Sequence, residues 1–122
     1  MPVPRITKEA LKQRLEAGDP AARPAIVDVR LKYAYEHSTV TLPGAIRMMA
    51  SAIDTARLPK GRDLVVYDSD PNEITGSEAA VELIGLGYTV AVLEGGIAGW
   101  AGANFPMDTK SAPKATPPPA KA

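Results

Sequence analysis

Cysteine is absent from all 122 residues, which removes disulfides, thiolate zinc sites and thiol redox chemistry together. Histidine occurs once, at His37, on a segment read as exposed surface. Ser69, Thr75 and Ser77 therefore have no histidine near them in sequence, and a hydroxyl nucleophile needs both a base and a group to orient it. Excess charge of either sign is missing as well: 14 Lys and Arg balance 14 Asp and Glu. That balance gives no global footprint for nucleic acid or an anionic membrane. No apolar run approaches the roughly 20 residues of a membrane helix, so no membrane insertion is expected. Met1-Pro2-Val3-Pro4-Arg5 lacks the apolar core and cleavage pattern of a secretory signal, and a cytoplasmic location is the expectation.

What the chain does contain is a 45% hydrophobic, 23% charged composition, ordinary for a globular domain. The spacing predicts a helix over 6–18, with Thr7 as N-cap, Ile6 and Leu11 as a hydrophobic staple, and Gly18 at its end. Ala25-Ile26-Val27-Asp28-Val29 reads as a strand buried on both faces. A short helix follows over Lys32 to His37, then turn chemistry at Leu42-Pro43-Gly44 and a short strand over Ala45 to Met48. Residues 51–57 are expected to be helical. Leu64 to Tyr67 and Val90 to Leu93 are the next strands. Between them, Thr75 and Glu78 have capping-box spacing. Ala79, Ala80, Leu83, Ile84 and Leu86 supply the apolar positions of that helix, and Gly85 or Gly87 its stop.

Strands alternating with helices imply an α/β domain over 1–109, with a small, mainly parallel sheet flanked by helices. From Lys110 onward the Pro-, Ala- and Lys-rich sequence has no apolar periodicity, and 110–122 is expected to be a disordered tail or linker. Asp28 and Arg30 read as a structural charge pair at a strand end. Trp100, Tyr88 and Leu93 read as packing residues.

Ile26-Val27-Asp28-Val29-Arg30, Leu42-Pro43-Gly44-Ala45-Ile46 and Leu64-Val65-Val66-Tyr67 are followed by Leu86-Gly87-Tyr88 and by Leu93-Glu94-Gly95-Gly96-Ile97-Ala98-Gly99-Trp100. Each motif alone is weak, but in this order and spacing the chain resembles a single-domain rhodanese, or sulfurtransferase-like, module over roughly residues 6–108. The resemblance implies a nucleophilic cysteine immediately after the central strand, which takes sulfane sulfur and becomes a persulfide. Asp68 stands at that position. Asp68-Ser69-Asp70-Pro71-Asn72-Glu73 resembles a branch carrying Cys-x-Cys-Pro-Asn-Glu, with both cysteines replaced by aspartate.

The replacement changes the chemistry. A thiol of pKa about 8.5 can be tuned into a soft thiolate, whereas aspartate, with a reference pKa of about 3.9, offers a hard oxygen that forms no persulfide. The resemblance also implies a cradle of backbone amides near a helix N-terminus, which Asp68 itself can fill. Residues 68–77 contain no Lys or Arg. A like-charge pair about 4 Å apart costs about 4 kcal/mol at an effective dielectric of 20, which opposes thiosulfate or phosphate.

The sequence reading is therefore a catalytically inactive rhodanese-like module that recognises a protein or small ligand. Its candidate residues are Asp68, Ser69, Asp70, Asn72, Glu73 and Thr75. No cofactor or metal is required, and neither partner nor oligomeric state can be read from the sequence. Two alternatives use the same loop. Asp68-Ser69-Asp70 after an apolar strand is similar to an aspartate-dependent phosphotransfer motif, but no matching set of cationic and acidic partners follows. Asp68, Asp70, Asn72 and Glu73 offer oxygen ligands for Ca²⁺ or Mg²⁺. However, Glu73 stands where a calcium loop needs glycine, and the distal bidentate Glu is absent.

Overall fold

Three short apolar runs form the centre of the protein. In this computed structural model, which describes residues 3–16, 23–59, 61–69 and 73–109, they are β2 (Ala25–Asp28), β5 (Leu64–Tyr67) and β6 (Val90–Leu93). All three lie side by side and parallel. Two short strands complete the sheet, β1 (Arg5–Ile6) beside β6 and β4 (Ile46–Arg47) beside β2, giving the order β1-β6-β5-β2-β4. A separate antiparallel pair joins β3 (Val40–Thr41) to β7 (Asp108–Thr109).

Side chains alternate across the sheet, as the strand repeat requires. Val27, Leu64, Val66, Val90 and Val92 face one side and pack on Ala79, Ala80 and Leu83 of α3 (Ile74–Gly85). Ile26, Val65, Tyr67 and Leu93 face the other. They pack on Leu11 of α1 (Lys8–Glu16) and on Ile97 and Trp100 of α4 (Gly96–Gly102). Covering both faces explains why the strands are continuous apolar runs and not alternating ones. Trp100 and Leu93 therefore share a core, whereas Tyr88 packs on the opposite face of the sheet.

The local signals place most element ends. Thr7 Oγ1 accepts from the Ala10 amide at 3.1 Å and caps α1, and Ile6 packs in the same core as Leu11. Gly18 lies outside the described residues. α2 (Lys32–Glu36) is the short helix expected there. At the end of α3, Gly87 adopts φ +98°. Its amide reaches Ile84 O at 3.0 Å and the Tyr88 amide reaches Leu83 O at 3.1 Å, a Schellman closure.

Four expectations are corrected. Residues 51–57 do not form one helix: Ala52 bridges to Met49, and only Thr55–Arg57 make a 3-10 turn, capped by Asp54. α3 begins at Ile74 with Glu73 as its N-cap, so Thr75 is inside the helix and does not cap it. The helix expected from residue 6 begins at Lys8, because Ile6 belongs to β1. Ile84 and Leu86, read as apolar positions of α3, are exposed. The segment 110–122 lies outside the described residues.

Asp28 and Arg30 form the expected charge pair. The Arg30 guanidinium donates to Asp28 Oδ2 at 2.7 Å, with both side chains buried. Tyr67 Oη donates to the same carboxylate at 2.8 Å and accepts from the Leu42 amide at 3.2 Å. Arg30 also donates to Val40 O. These bonds tie β2, β5 and the β3–β4 turn together, so a wholly buried ion pair has its polar atoms satisfied.

Candidate functional site

The site lies where β5 ends. Asp68, the first residue after the strand, is 1% exposed. Its Oδ2 accepts from the Gly76 amide at 2.6 Å. Gly76 is the third residue of α3, so the Asp68 carboxylate satisfies one of the helix's free N-terminal donors. It also places a negative charge at the positive end of the helix dipole. The cap is supplied by the preceding strand and not by Glu73, whose side chain makes no capping bond to α3.

Two glycines pack closely against Asp68. A Cβ on Gly76 would stand 3.1 Å from Asp68 Oδ2 and 3.3 Å from Val92 Cγ1. A Cβ on Gly96 would overlap the Asp68 carbonyl oxygen, and Gly96 also has φ +57°. That carbonyl accepts from the Ile97 amide at 3.1 Å. Asp68 is thus held by the first turns of both α3 and α4.

Glu73 is turned inward. It sits in the left-handed region at φ 58°, a conformation that costs a residue with a Cβ on the order of 1 kcal/mol or more. Its carboxylate accepts from Arg5 Nε and Nη2, both at 2.8 Å, and from the Gly95 amide at 3.1 Å. The Arg5 bonds hold the carboxyl below the usual glutamate range, with the Gly95 amide adding to the effect and burial opposing it. Arg5 also approaches Glu94 at 3.8 Å. The strand β1, the loop after β5 and the loop after β6 therefore meet at one carboxylate.

Of the remaining candidates, Ser69 is exposed and Thr75 is buried. Thr75 lines a cavity of about 170 Å³ with Arg30, Leu31, Met49 and Glu78, and Asp68 is not among its walls. Asp70 and Asn72 lie outside the described residues. Among the described residues, no group of three or more His, Asp or Glu side chains is placed to hold a metal ion. His37 is exposed and stacks on Tyr33, with ring centroids 4.0 Å apart. No helix of the described residues is long and apolar enough to cross a membrane.

Sequence reasoning missed Arg5, Gly76, Gly95 and Gly96. Loop 68–77 carries no cation of its own, but the sheet brings Arg5 to it from 68 residues away. The acidity expected of the loop is thus offset at Glu73. No local pattern signals this. The glycines were visible, but their role depends on which backbone passes beside them.

The arrangement cannot perform persulfide chemistry, because the position at the end of β5 carries oxygen and no thiol exists in the chain. The Asp68 carboxylate is buried and accepts a hydrogen bond from a helix amide.

Among curated proteins none is significantly similar to this chain. Solved structures are. A protein from Bacillus halodurans is 27% identical, with a TM-score of 0.74, and the match covers 87% of this chain and 77% of that one. A protein from Anabaena sp. is 30% identical with a TM-score of 0.70, covering 85% and 82%. A thiosulfate sulfurtransferase from Pseudomonas aeruginosa shares the fold, at 23% identity and TM-score 0.72 over 88% of this chain and 20% of that one. Residues 7–103 match the rhodanese-like domain model, spanning both core layers and the loop after β5, and the chain belongs to the rhodanese-like family.

Proposed function

We propose that this chain is a non-catalytic rhodanese-like module that recognises a protein or small ligand at the rim of its altered loop. The observation that supports this reading is the 2.6 Å bond from the Gly76 amide to Asp68 Oδ2. In a site built for an external anion, amides at a helix N-terminus face the ligand. Here one such amide is already taken by the chain's own carboxylate. Asp68 and Glu73 are fastened at the two ends of the loop, and the exposed Ser69 belongs to the face that a partner meets, with Asp70 and Asn72 adjoining it in sequence.

Paired assays of thiosulfate sulfurtransferase activity on the natural protein and Asp68→Cys test the reading. The natural protein is expected to be inactive. Activity confined to the variant would mean that the cradle tolerates a thiolate and that the single substitution accounts for the loss. Turnover by the natural protein would refute the non-catalytic assignment. The recognition half is tested by comparing the proteins captured by the natural chain and by Ser69→Arg. An identical set of partners would count against the loop rim.

A further inference from the structure

α3 is apolar on both of its sides. Its buried side is Ala79, Ala80 and Leu83, against the sheet. Its outer side carries Ile74, Val81 and Ile84, exposed by 54%, 59% and 42%, and Leu86 follows at 55%. Contiguous exposed apolar side chains mark interaction sites. Ile74, Ser77, Val81 and Ile84 recur at i, i+3, i+7 and i+10, the spacing of a helix–helix seam. Ile74, Ser77 and Val81 also line an open depression of about 470 Å³, with Glu78 at its edge.

Charge selects the occupant. Glu78 and Glu82 are the only charged residues of Ile74–Gly85, and both are exposed beside the apolar stripe. A second copy of α3 would bring no cation to these glutamates. The segment 110–122 carries Lys110, Lys114 and Lys121 but no apolar side chain larger than proline, so it cannot fill a stripe of Ile and Val. We infer that the outer face of α3 is a docking surface for an amphipathic helix of a partner protein. That helix presents Leu- or Ile-type residues to Ile74, Val81 and Ile84, and Lys or Arg to Glu78 and Glu82. The surface begins at Ile74, beside the Asp68 loop, and stands whether or not that loop binds anything.

The test uses a synthetic helical peptide with Leu at the seam positions and Lys at the flanks, together with its Lys→Glu counterpart. Binding is followed by calorimetry and by amide shifts of the full chain. The Lys peptide is expected to saturate and to shift the α3 amides. The Glu peptide should bind at least about ten-fold more weakly, the sign expected for unpaired like charges across an interface. Val81→Asp should abolish binding, and the double variant Glu78→Lys, Glu82→Lys should invert the preference between the peptides.

Four results would overturn the inference: no saturable binding of the Lys peptide, equal affinity for both peptides, shifts confined to other elements, or retained binding in Val81→Asp. A concentration-dependent dimer that Val81→Asp dissolves would assign the face to a second copy instead. Tighter peptide binding after removal of 110–122 would assign it to that segment.

Discussion

The guanidinium of Arg5 donates two hydrogen bonds, each 2.8 Å long, to the carboxylate of Glu73, joining the edge strand to the residue that precedes α3. Two parallel bonds between a planar cation and a carboxylate fix orientation as well as distance. This fastening holds Glu73 in a left-handed conformation that its side chain disfavours. The fold therefore relies on β1, only two residues long, to fasten the start of α3, 68 residues further along the chain.

A pH dependence follows from that pair. The Arg5 bonds lower the Glu73 pKa from the ordinary 4.5. A carboxyl whose folded value is depressed contributes stability that is present above its unfolded value and is lost as pH falls through the folded one. Glu73→Gln should therefore be less stable than the natural protein at neutral pH, and the gap should narrow in acid below the ordinary glutamate range. Urea unfolding at a series of pH values measures it. A gap that stayed constant into acid would show that the charge on Glu73 is immaterial.

Asp68 can be tested as a cap separately from its place in the family pattern. Asp68→Ala removes the acceptor of the buried Gly76 amide and should cost about 1–3 kcal/mol, the range for a buried group left without its partner. Asp68→Asn keeps an acceptor and loses only the charge beside the helix N-terminus, about 0.3–1 kcal/mol. Denaturant midpoints at unchanged m-value should rank the natural protein above Asn and Asn above Ala. An Ala variant as stable as the natural chain would mean the 2.6 Å contact does not stabilise α3.

What the sequence made legible is what its local chemistry decides. Ala25–Asp28, Leu64–Tyr67 and Val90–Leu93 announce themselves because both faces of the sheet are covered and every position is apolar or internally paired. Thr7 declares the start of α1 through a bond only three residues long. The two-residue strands β1, β3 and β7 carry no such mark, since their existence depends on partners such as Val92 and Asp108 far along the chain. The start of α3 was misplaced for the same reason. Thr75 and Glu78 satisfy a local capping rule, but Asp68 reaches the Gly76 amide first and the helix begins before Thr75. Ile84 and Leu86 fit the helical apolar pattern, yet both are exposed, while Leu83 packs on the sheet. The position of Asp68 was legible from the order of motifs; its inward orientation required Gly76 and Gly96.

Gly96 and Gly87 separate crowding from backbone strain. Both have positive φ, +57° and +98°. A Cβ on Gly96 would meet the Asp68 carbonyl, whereas one on Gly87 would meet nothing within 4 Å. Gly87→Ala should therefore cost only the left-handed penalty, about 1–2 kcal/mol. Gly96→Ala should cost that and the displacement of Asp68, on the order of 2–4 kcal/mol in all. Thermal or urea melts of the two variants give the comparison. Equal losses would mean that the Asp68 backbone moves aside freely.

The Asp28–Arg30–Tyr67 network carries its own alkaline signature. Arg30→Met leaves Asp28 buried with Arg47 no nearer than 3.6 Å as a substitute cation, and should cost about 3–5 kcal/mol, as for a buried pair stripped of one partner. Tyr67→Phe leaves Arg30 in place but takes the acceptor from the Leu42 amide, a loss of about 1–2 kcal/mol. Burial first, and then the negative charge of Asp28, push the Tyr67 phenol well above its ordinary 10.0. A group whose folded pKa is raised contributes stability that is complete below its unfolded value and is lost as pH climbs above it. The natural protein should thus weaken above pH about 10, where the unfolded chain alone releases that proton, and Tyr67→Phe should weaken less steeply. An ultraviolet titration should show one of the four tyrosines ionising only as the protein unfolds. Four tyrosines titrating together in the folded state would show that Tyr67 Oη is not held against Asp28.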